Sequence, residues 1–502
     1  MRTPAAKRAS HPRTGDGHPR RWLILLLVVA AESMDLLDST IVNVASPAIR
    51  DSLRASDAAL EWIVGGYALA FSVGLITGGR LGDIYGRRRM FLIGAAGFAL
   101  SSVACGLAGS AEILIASRLT QGAFAALLIP QGLGIVHDVF PADELGKAFG
   151  VFGPVAGFSA VIGPIAGGAL VSGDLLGTGW RMVFFVTVPI AVLAFVGALR
   201  LLPESRVPVP PKLDLLGTAL AAGAIGLLVY PLIEGRDLAW PAWTFALMAM
   251  SAATFAAFVL HSRRRQAAGN DPLITASVFR KRSYTSAVVV LLVFFSGLSG
   301  ILLAFTLYLQ LGRGFSPIHA GLTLVPWSIG TAFGAWLGGG LFGPRHARLV
   351  IQSGCVVMLG GVLWLVASIH SAAADLTSLS IVPQLLLVGA GLGALLSRLF
   401  GTALADVDDE EVGSASGVVN STQQLGGAIG IAGLGTLFFS TVAGHGYLRA
   451  IELCLLAEAA LLVVVLICTP LLPRSGGTDG QTVLPRSDTG DTKRAATSPT
   501  IA

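Results

Sequence analysis

The stretch WLILLLVVAAESMDLLDSTIVNVASP, residues 22–47, decides the fold. It is apolar and longer than the roughly 20 residues a helix needs to cross a bilayer core. Yet Glu32, Asp35 and Asp38 interrupt it at intervals of three, so the three acids share one helix face. At a rise of 1.5 Å per residue, Glu32 lies roughly 15 Å and Asp38 roughly 24 Å from Trp22, all within a core of ~30 Å. Charged groups at that depth are costly, so acids kept there are expected to face a cavity and to work. A carboxyl shielded from water holds its proton more readily, which a reversible proton carrier requires.

The rest of the chain repeats this apolar character. Of 502 residues 54% are hydrophobic and 13% charged, and mean hydropathy is +0.75. Soluble domains carry about a quarter charged residues. Helices are expected at about 22–46, 60–80, 90–109, 111–136, 145–172, 180–201, 213–234, 242–261, 284–310, 318–342, 349–370, 378–404, 413–440 and 450–472. In lipid each segment must satisfy its own backbone, which makes helix the expected state. The expected organisation is a disordered arm over 1–21, a six-helix bundle over 22–201, two linking helices over 213–261, a second six-helix bundle over 284–472 and a disordered tail over 474–502. The fold class is therefore all-α integral membrane, with fourteen spans.

Charge sets the orientation. With both termini cytoplasmic, 26 of the 34 Lys and Arg residues fall on inner segments and 6 on outer ones; Arg118 and Arg398 lie within helices. The positive-inside rule favours that arrangement. It also explains the net charge of +5 without nucleic acid, because the basic residues sit in short loops. Cys105, Cys355, Cys454 and Cys468 lie in apolar spans with neither metal-ligand nor disulfide spacing. No phosphate-binding glycine loop ending in Lys-Ser/Thr occurs, which argues against ATP hydrolysis. No metal or other cofactor is expected, and nothing suggests an enzyme.

Further residues carry chemistry. Arg118 and Gln121 in helix four lie at a depth where Arg118 can meet Asp38. Bringing the arginine close favours the ionised acid and withdrawing it favours the protonated one; a fixed ion pair joining the two helices is the other reading. The short basic loop with Gly79, Asp83, Gly86 and Arg87 suits a tight turn and a conformational latch. Helix five carries Gly157, Gly163, Pro164, Gly167 and Gly168, with glycines four apart as in close helix packing. Arg398, toward the cytoplasmic end of helix twelve, either snorkels to the interface or contacts an anionic or carbonyl-rich cargo. Glu458 in the last span has no evident role. The Gly-Gly-Arg-Leu-Gly ending helix two and the Gly-Gly-Gly-Leu-Phe-Gly ending helix ten suggest repeated halves, a common transporter plan.

Taken in order, these motifs resemble the major facilitator superfamily, and within it the fourteen-helix drug:proton antiporter branch, from about Trp22 to Pro473. The match runs through Leu37 to Pro47 with Asp38 as the acid; Trp62 and Tyr67; Gly79, Asp83, Gly86 and Arg87; Arg118, Gln121 and Gly122; Gly163-Pro164 and Gly167-Gly168; Trp180-Arg181; Tyr308 to Gln310; and Gly413 to Gly417 with Asn420 and Gln424. The resemblance implies alternating access and proton-coupled extrusion of small hydrophobic molecules, drugs or antibiotics. It implies a cavity to which Asn43, Trp62, Tyr67, Gln121, Tyr308, Gln310, Arg398, Asn420 and Gln424 are candidate contributors. Ile84, Thr187, Ser397-Arg398 and the extra acids Asp35 and Glu32 depart from its pattern. The expected partners are a small-molecule substrate, protons and membrane lipid, with the chain a monomer. The scarcity of lysine, five of 34 basic residues, points to a high-G+C bacterium and so to a bacterial cytoplasmic membrane. Two other readings stay open: export of a single metabolite, anionic if Arg398 lines the cavity, and a non-transporting membrane sensor or assembly partner.

Overall fold

The computed structural model describes residues 18–141, 144–174, 177–205, 212–270, 273, 278–340, 346–372, 376–407 and 412–472. Most of the expected terminal arms, and residues 341–345 of the repeated glycine motif, lie outside the described residues. The main helices are α1 Arg21–Leu53, α2 Asp57–Tyr85, α3 Arg87–Gly106, α4 Ala111–Val139, α5 Phe152–Ser172, α6 Thr187–Leu201, α7 Leu215–Glu234, α8 Ala242–Ala267, α9 Arg282–Leu307, α10 Val325–Gly340, α11 Ala347–Ala372, α12 Val382–Leu404 and α13 Val412–Cys468.

Local chemistry explains the helix ends. Ser56 starts α2 by accepting from the Ala59 N–H, and Ser110 starts α4 by accepting from Ile113, each satisfying an orphan donor. Gly86 joins α2 to α3 at φ 105°, a conformation closed to most side chains. Several boundaries differ from expectation; α2 runs on to Tyr85, so Gly79 and Asp83 of the expected loop are helical and only Gly86 separates α2 from α3. Helix α1 continues through Pro47 to Leu53, where Arg54 turns left-handed and Arg50 pairs with Asp57 at 2.9 Å. Spans 413–440 and 450–472 form one helical element, broken only at Gly446, whose φ of 78° and ψ of 174° let the chain reverse. Among the described residues, ten helices are long and apolar enough to cross a membrane, with α13 counted once. Helix α1 is not among these, because every membrane-length window in it carries at least three charged residues.

The helices form two bundles. In the first, α2 and α3 pack on α4, and α1 on α5 and α6; in the second, α9 packs on α13, and α10 and α11 on α12. The bundles meet through α2 against α13 and through α5 against the short helix Pro317–Thr323 that precedes α10. They meet unevenly along their length. At the far face, Ile41, Ala45 and Ile49 of α1 and Leu60 and Ile63 of α2 share one buried apolar cluster with Leu303, Leu307 and Phe438 of the second bundle. At the face where α1 begins, Ile24, Val28, Leu75, Phe91 and Ile135 form a separate cluster of first-bundle residues. The far face is thus closed by a common core.

Helices α7 and α8 pack against each other, and α7 lies across the α2–α13 seam. Val229 and Ile233 join Ala58, Leu69, Ala428 and Ala432 in a small buried cluster. Trp62 donates to Glu234 at 2.9 Å, and Thr436 to the Leu232 carbonyl at 2.7 Å. Arg236, just beyond α7, pairs with the fully buried Glu61 at 3.2 Å and lies over the Phe439 ring. At its other end α7 starts from the buried Asp214. That carboxylate accepts from the Gly217 and Leu273 N–H groups and shares a hydrogen bond with His261. Arg80, in the last turns of α2, donates to the Lys212 and Leu273 carbonyls, which ties the segments flanking the α7–α8 pair to the end of α2.

Two predictions follow from these anchors. Arg236→Ala leaves Glu61 buried without its cation, a change that typically costs about 3–5 kcal/mol; thermal unfolding in detergent should show it, with Glu61→Gln added in the same chain restoring most of the loss. Burial alone would push the Asp214 carboxyl up, but its hydrogen bonds with His261, Gly217 and Leu273 outweigh that and hold it below its ordinary value. A depressed folded value stabilises above the unfolded one, about 3.9, and that contribution fades as pH falls through the folded value. The stability advantage of wild type over Asp214→Asn should therefore be flat near neutrality and shrink below about pH 4.

Candidate functional site

The acids of α1 face the interior of the first bundle. Asp38 and Arg118 are almost wholly buried and pair at 2.5 Å. The same guanidinium donates to Gln121 Oε1 at 2.6 Å and, through Nε, to the Ile63 carbonyl at 3.1 Å. Gln121 donates to Asp38 Oδ1 at 3.0 Å and to Ser102 Oγ at 2.9 Å, and Thr187 reaches Ser102 at 3.3 Å. One turn earlier on α1, Asp35 accepts the Tyr67 hydroxyl. The Tyr67 ring lies 4.4 Å from the Arg118 guanidinium carbon and the Phe184 ring 5.8 Å. Five segments, α1 to α4 and the start of helix six, therefore converge on one arginine. An ionised carboxylate inside a membrane protein is costly alone; here Arg118 supplies the charge and Gln121 a second donor.

The three acids hold different positions. Asp38 is clamped by a cation and an amide. Asp35 is held by a phenol. Glu32 is partly exposed and makes no ion pair among the described residues. The site thus grades from a fully compensated carboxylate toward one open to its surroundings.

The latch residues are drawn together at the near face. Arg87 donates to Asp83 at 3.2 Å, to Asp138 at 2.9 Å and to the Gly134 carbonyl at 2.8 Å. Gly86 is the joint, and a Cβ there would also strike Glu204. Gly79 faces Pro130 at ordinary contact distance; tighter approaches occur at Gly78, against the Ala126 carbonyl, and at Gly82, against Gln131.

In α5, a Cβ at Gly163 would fall 1.9 Å from Thr40 Oγ1, and one at Gly168 would fall 2.6 Å from Ile318 Cα. Gly167 lies against Ile41, and Gly321 of the second bundle would meet the Pro164 carbonyl at 2.2 Å. This part of α5 is therefore wedged between α1 and the second bundle. Gly157 lies earlier in the same helix.

The remaining candidates scatter. Asn43 donates to the Ser39 carbonyl, and its buried Oδ1 has no partner among the described residues. Gln310 crosses between bundles to the Val44 carbonyl at 2.8 Å. Tyr308 is buried with its hydroxyl unpartnered among the described residues. Trp62 belongs to the α7 anchor. Asn420 and Gln424 are partly exposed along α13. Arg398 donates to the Gly338 and Gly339 carbonyls at the end of α10, so it ties α12 to α10.

Several residues escape the sequence reading. Glu61 and Arg236 are separated by 175 positions and meet only through the fold. Gln131, which donates to the Gly78 carbonyl, and Asp138, which completes the Arg87 cluster, carried a usable signal: each is polar within or at the end of an apolar span.

A multi-pass helical protein with a buried, fully compensated acid–arginine pair in its first bundle has the architecture of a membrane transporter rather than an enzyme. A family model described as Major Facilitator Superfamily matches residues 28–431, and the chain belongs to that family. It is 49% identical over 422 residues to the "Probable actinorhodin transporter" of Streptomyces coelicolor, covering 84% of this chain and 73% of that one. It is 36% identical over 434 residues to the "Tetracenomycin C resistance and export protein" of Streptomyces glaucescens, covering 84% and 77%. Its fold is similar to that of an auto-inhibited POT family peptide transporter, with a TM-score of 0.67, 14% identity and coverage of 90% and 96%.

The network yields a graded test. Tyr67→Phe keeps the ring beside Arg118 but removes the hydrogen bond to Asp35, which should cost about 1–3 kcal/mol. Tyr67→Leu also removes the cation–π contact, worth about 0.5–2 kcal/mol. Thermal unfolding of the purified protein should rank wild type, Tyr67→Phe and Tyr67→Leu in that order.

Proposed function

We propose that this transporter exports small hydrophobic molecules from the cytoplasm in exchange for protons. The observation that carries the reading is the Asp38–Arg118–Gln121 cluster, with Asp35 and Glu32 one and two turns away on the same helix. A proton arriving on Asp38 removes the charge that holds Arg118. The guanidinium is then left with Gln121, the Ile63 carbonyl and two aromatic faces. An arginine deprived of its buried carboxylate is a large perturbation, about 3–5 kcal/mol in typical buried pairs, enough to bias a two-state equilibrium several hundredfold. Asp35 and Glu32 give a proton a stepwise route along α1 between the near face and the pair.

The closed far face fits this cycle. With the termini cytoplasmic, as the distribution of basic residues favours, the shared apolar core lies toward the outer side and the separate first-bundle cluster toward the cytoplasm. That is the state in which an exporter accepts cargo. The small-residue contact of α5 with Pro317–Thr323 is short and made largely of backbone and small side chains, so it can open without stripping large groups from their partners. The relatives named for actinorhodin transport and for tetracenomycin C export support a cargo of that general kind. Arg398, engaged with two carbonyls, offers no particular support for an anionic cargo.

The decisive experiment is ethidium transport in inverted membrane vesicles under an imposed pH gradient. Wild type should accumulate the dye in proportion to the gradient, and Asp38→Asn should reduce gradient-driven uptake at least tenfold while the protein remains folded. Undiminished gradient-driven uptake by Asp38→Asn would remove Asp38 from the mechanism.

A further inference from the structure

The second bundle holds an acid that the cluster around Arg118 does not use. Glu458 sits about eleven residues past Tyr447 in the last arm of α13, roughly 16 Å along it and so near mid-span. It is 1% exposed. Neither carboxyl oxygen has a hydrogen-bond partner among the described residues, and none of the ion pairs found among them involves it. The contrast with Asp38 is complete: one buried acid is met by a guanidinium and an amide, the other by nothing polar.

Its neighbours explain how it fits. Across from it, α9 presents Gly297, and a Cβ at that position would fall 2.0 Å from Glu458 Oε2. The carboxyl therefore occupies the notch that the missing side chain leaves. Helix α11 contributes Cys355, whose thiol is directed to the Leu462 carbonyl. On its own arm, Cys454 is directed to the Leu434 carbonyl, and Glu452, six residues toward the far face, pairs with Arg449 and shares a hydrogen bond with His370. No cation faces the notch from α9, α11 or either arm of α13 among the described residues. An ionised carboxylate in such a place lacks both water and counter-charge, which is strongly unfavourable; adding a proton removes that penalty.

We propose that Glu458 is a second proton-binding site, in the second bundle, occupied in the closed-far-face conformation and emptied only when α9 and the last arm part to admit water beside Gly297. The chemistry is a simple exchange, in which the carboxylic acid yields H⁺ to water and the carboxylate recovers it. The proposal deepens the proton-coupled reading and rests on it for its place in a transport cycle, while the binding itself stands apart from transport.

Infrared spectroscopy of the purified full-length protein tests the binding. Wild type should show, at neutral pH, a carboxylic C=O band that disappears in Glu458→Gln and moves but persists in Glu458→Asp. Identical spectra for wild type and Glu458→Gln overturn the site. Spin labels on Ile93→Cys and Leu349→Cys, both exposed, then report the separation of the bundles as pH varies. The slope of the logarithm of the conformer ratio against pH should fall by about one proton in Glu458→Gln; an unchanged slope overturns the coupling. A pH-independent ratio in wild type, with the infrared band intact, would defeat the proton-coupled reading and leave the site standing.

Discussion

The buried pairing of Arg118 with Asp38 is the constraint around which the first bundle is arranged. A guanidinium taken out of water needs its charge met and its donors filled, and no single neighbouring helix can do both. Helix α1 provides the carboxylate, α2 a backbone carbonyl and an aromatic ring, α4 the amide of Gln121, and α3 and the sixth span the hydroxyls that fix that amide. Loss of any member leaves a polar group stranded in a region where water cannot replace it. The cluster therefore holds five segments in register, and a change of protonation at one carboxylate is felt by all of them.

The second constraint is the unequal closure of the two bundles. At the far face they share a single apolar core, reinforced by the glycine contacts of α5 and by the Gln310 bridge to α1. The α7–α8 pair adds a strap across the α2–α13 seam, fixed at one end by Arg236 and Glu61 and at the other by Asp214. Arg80 ties that lower anchor to the end of α2, and the Arg87 cluster beside it holds α2, α3 and α4 together. Two charged clusters at opposite faces are thus connected through one helix.

The acids of the two bundles solve the same problem differently. Asp38 is met by the Arg118 guanidinium and the Gln121 amide. Glu458 has only the space opposite Gly297, with no hydrogen-bond partner among the described residues. The two halves thus hold buried acids in unlike surroundings.

Much of this was legible in the chain itself. Long apolar runs dictated helices that cross a bilayer, because a backbone in lipid must satisfy its own hydrogen bonds. The acids at positions 32, 35 and 38 marked the polar face of α1, since charge is costly at that depth, and the basic loops favoured one orientation. Gly446 gave no sign that it is the only break between the last two spans, and Pro47 did not end α1 as a soluble helix would suggest. Which acid meets Arg118, which one is left to a phenol, and which lies opposite a glycine were decided only by the packed structure. Residues 80 or 175 positions apart come into contact through helix crossings, and the energy of a buried charge depends on those contacts rather than on its neighbours in the chain.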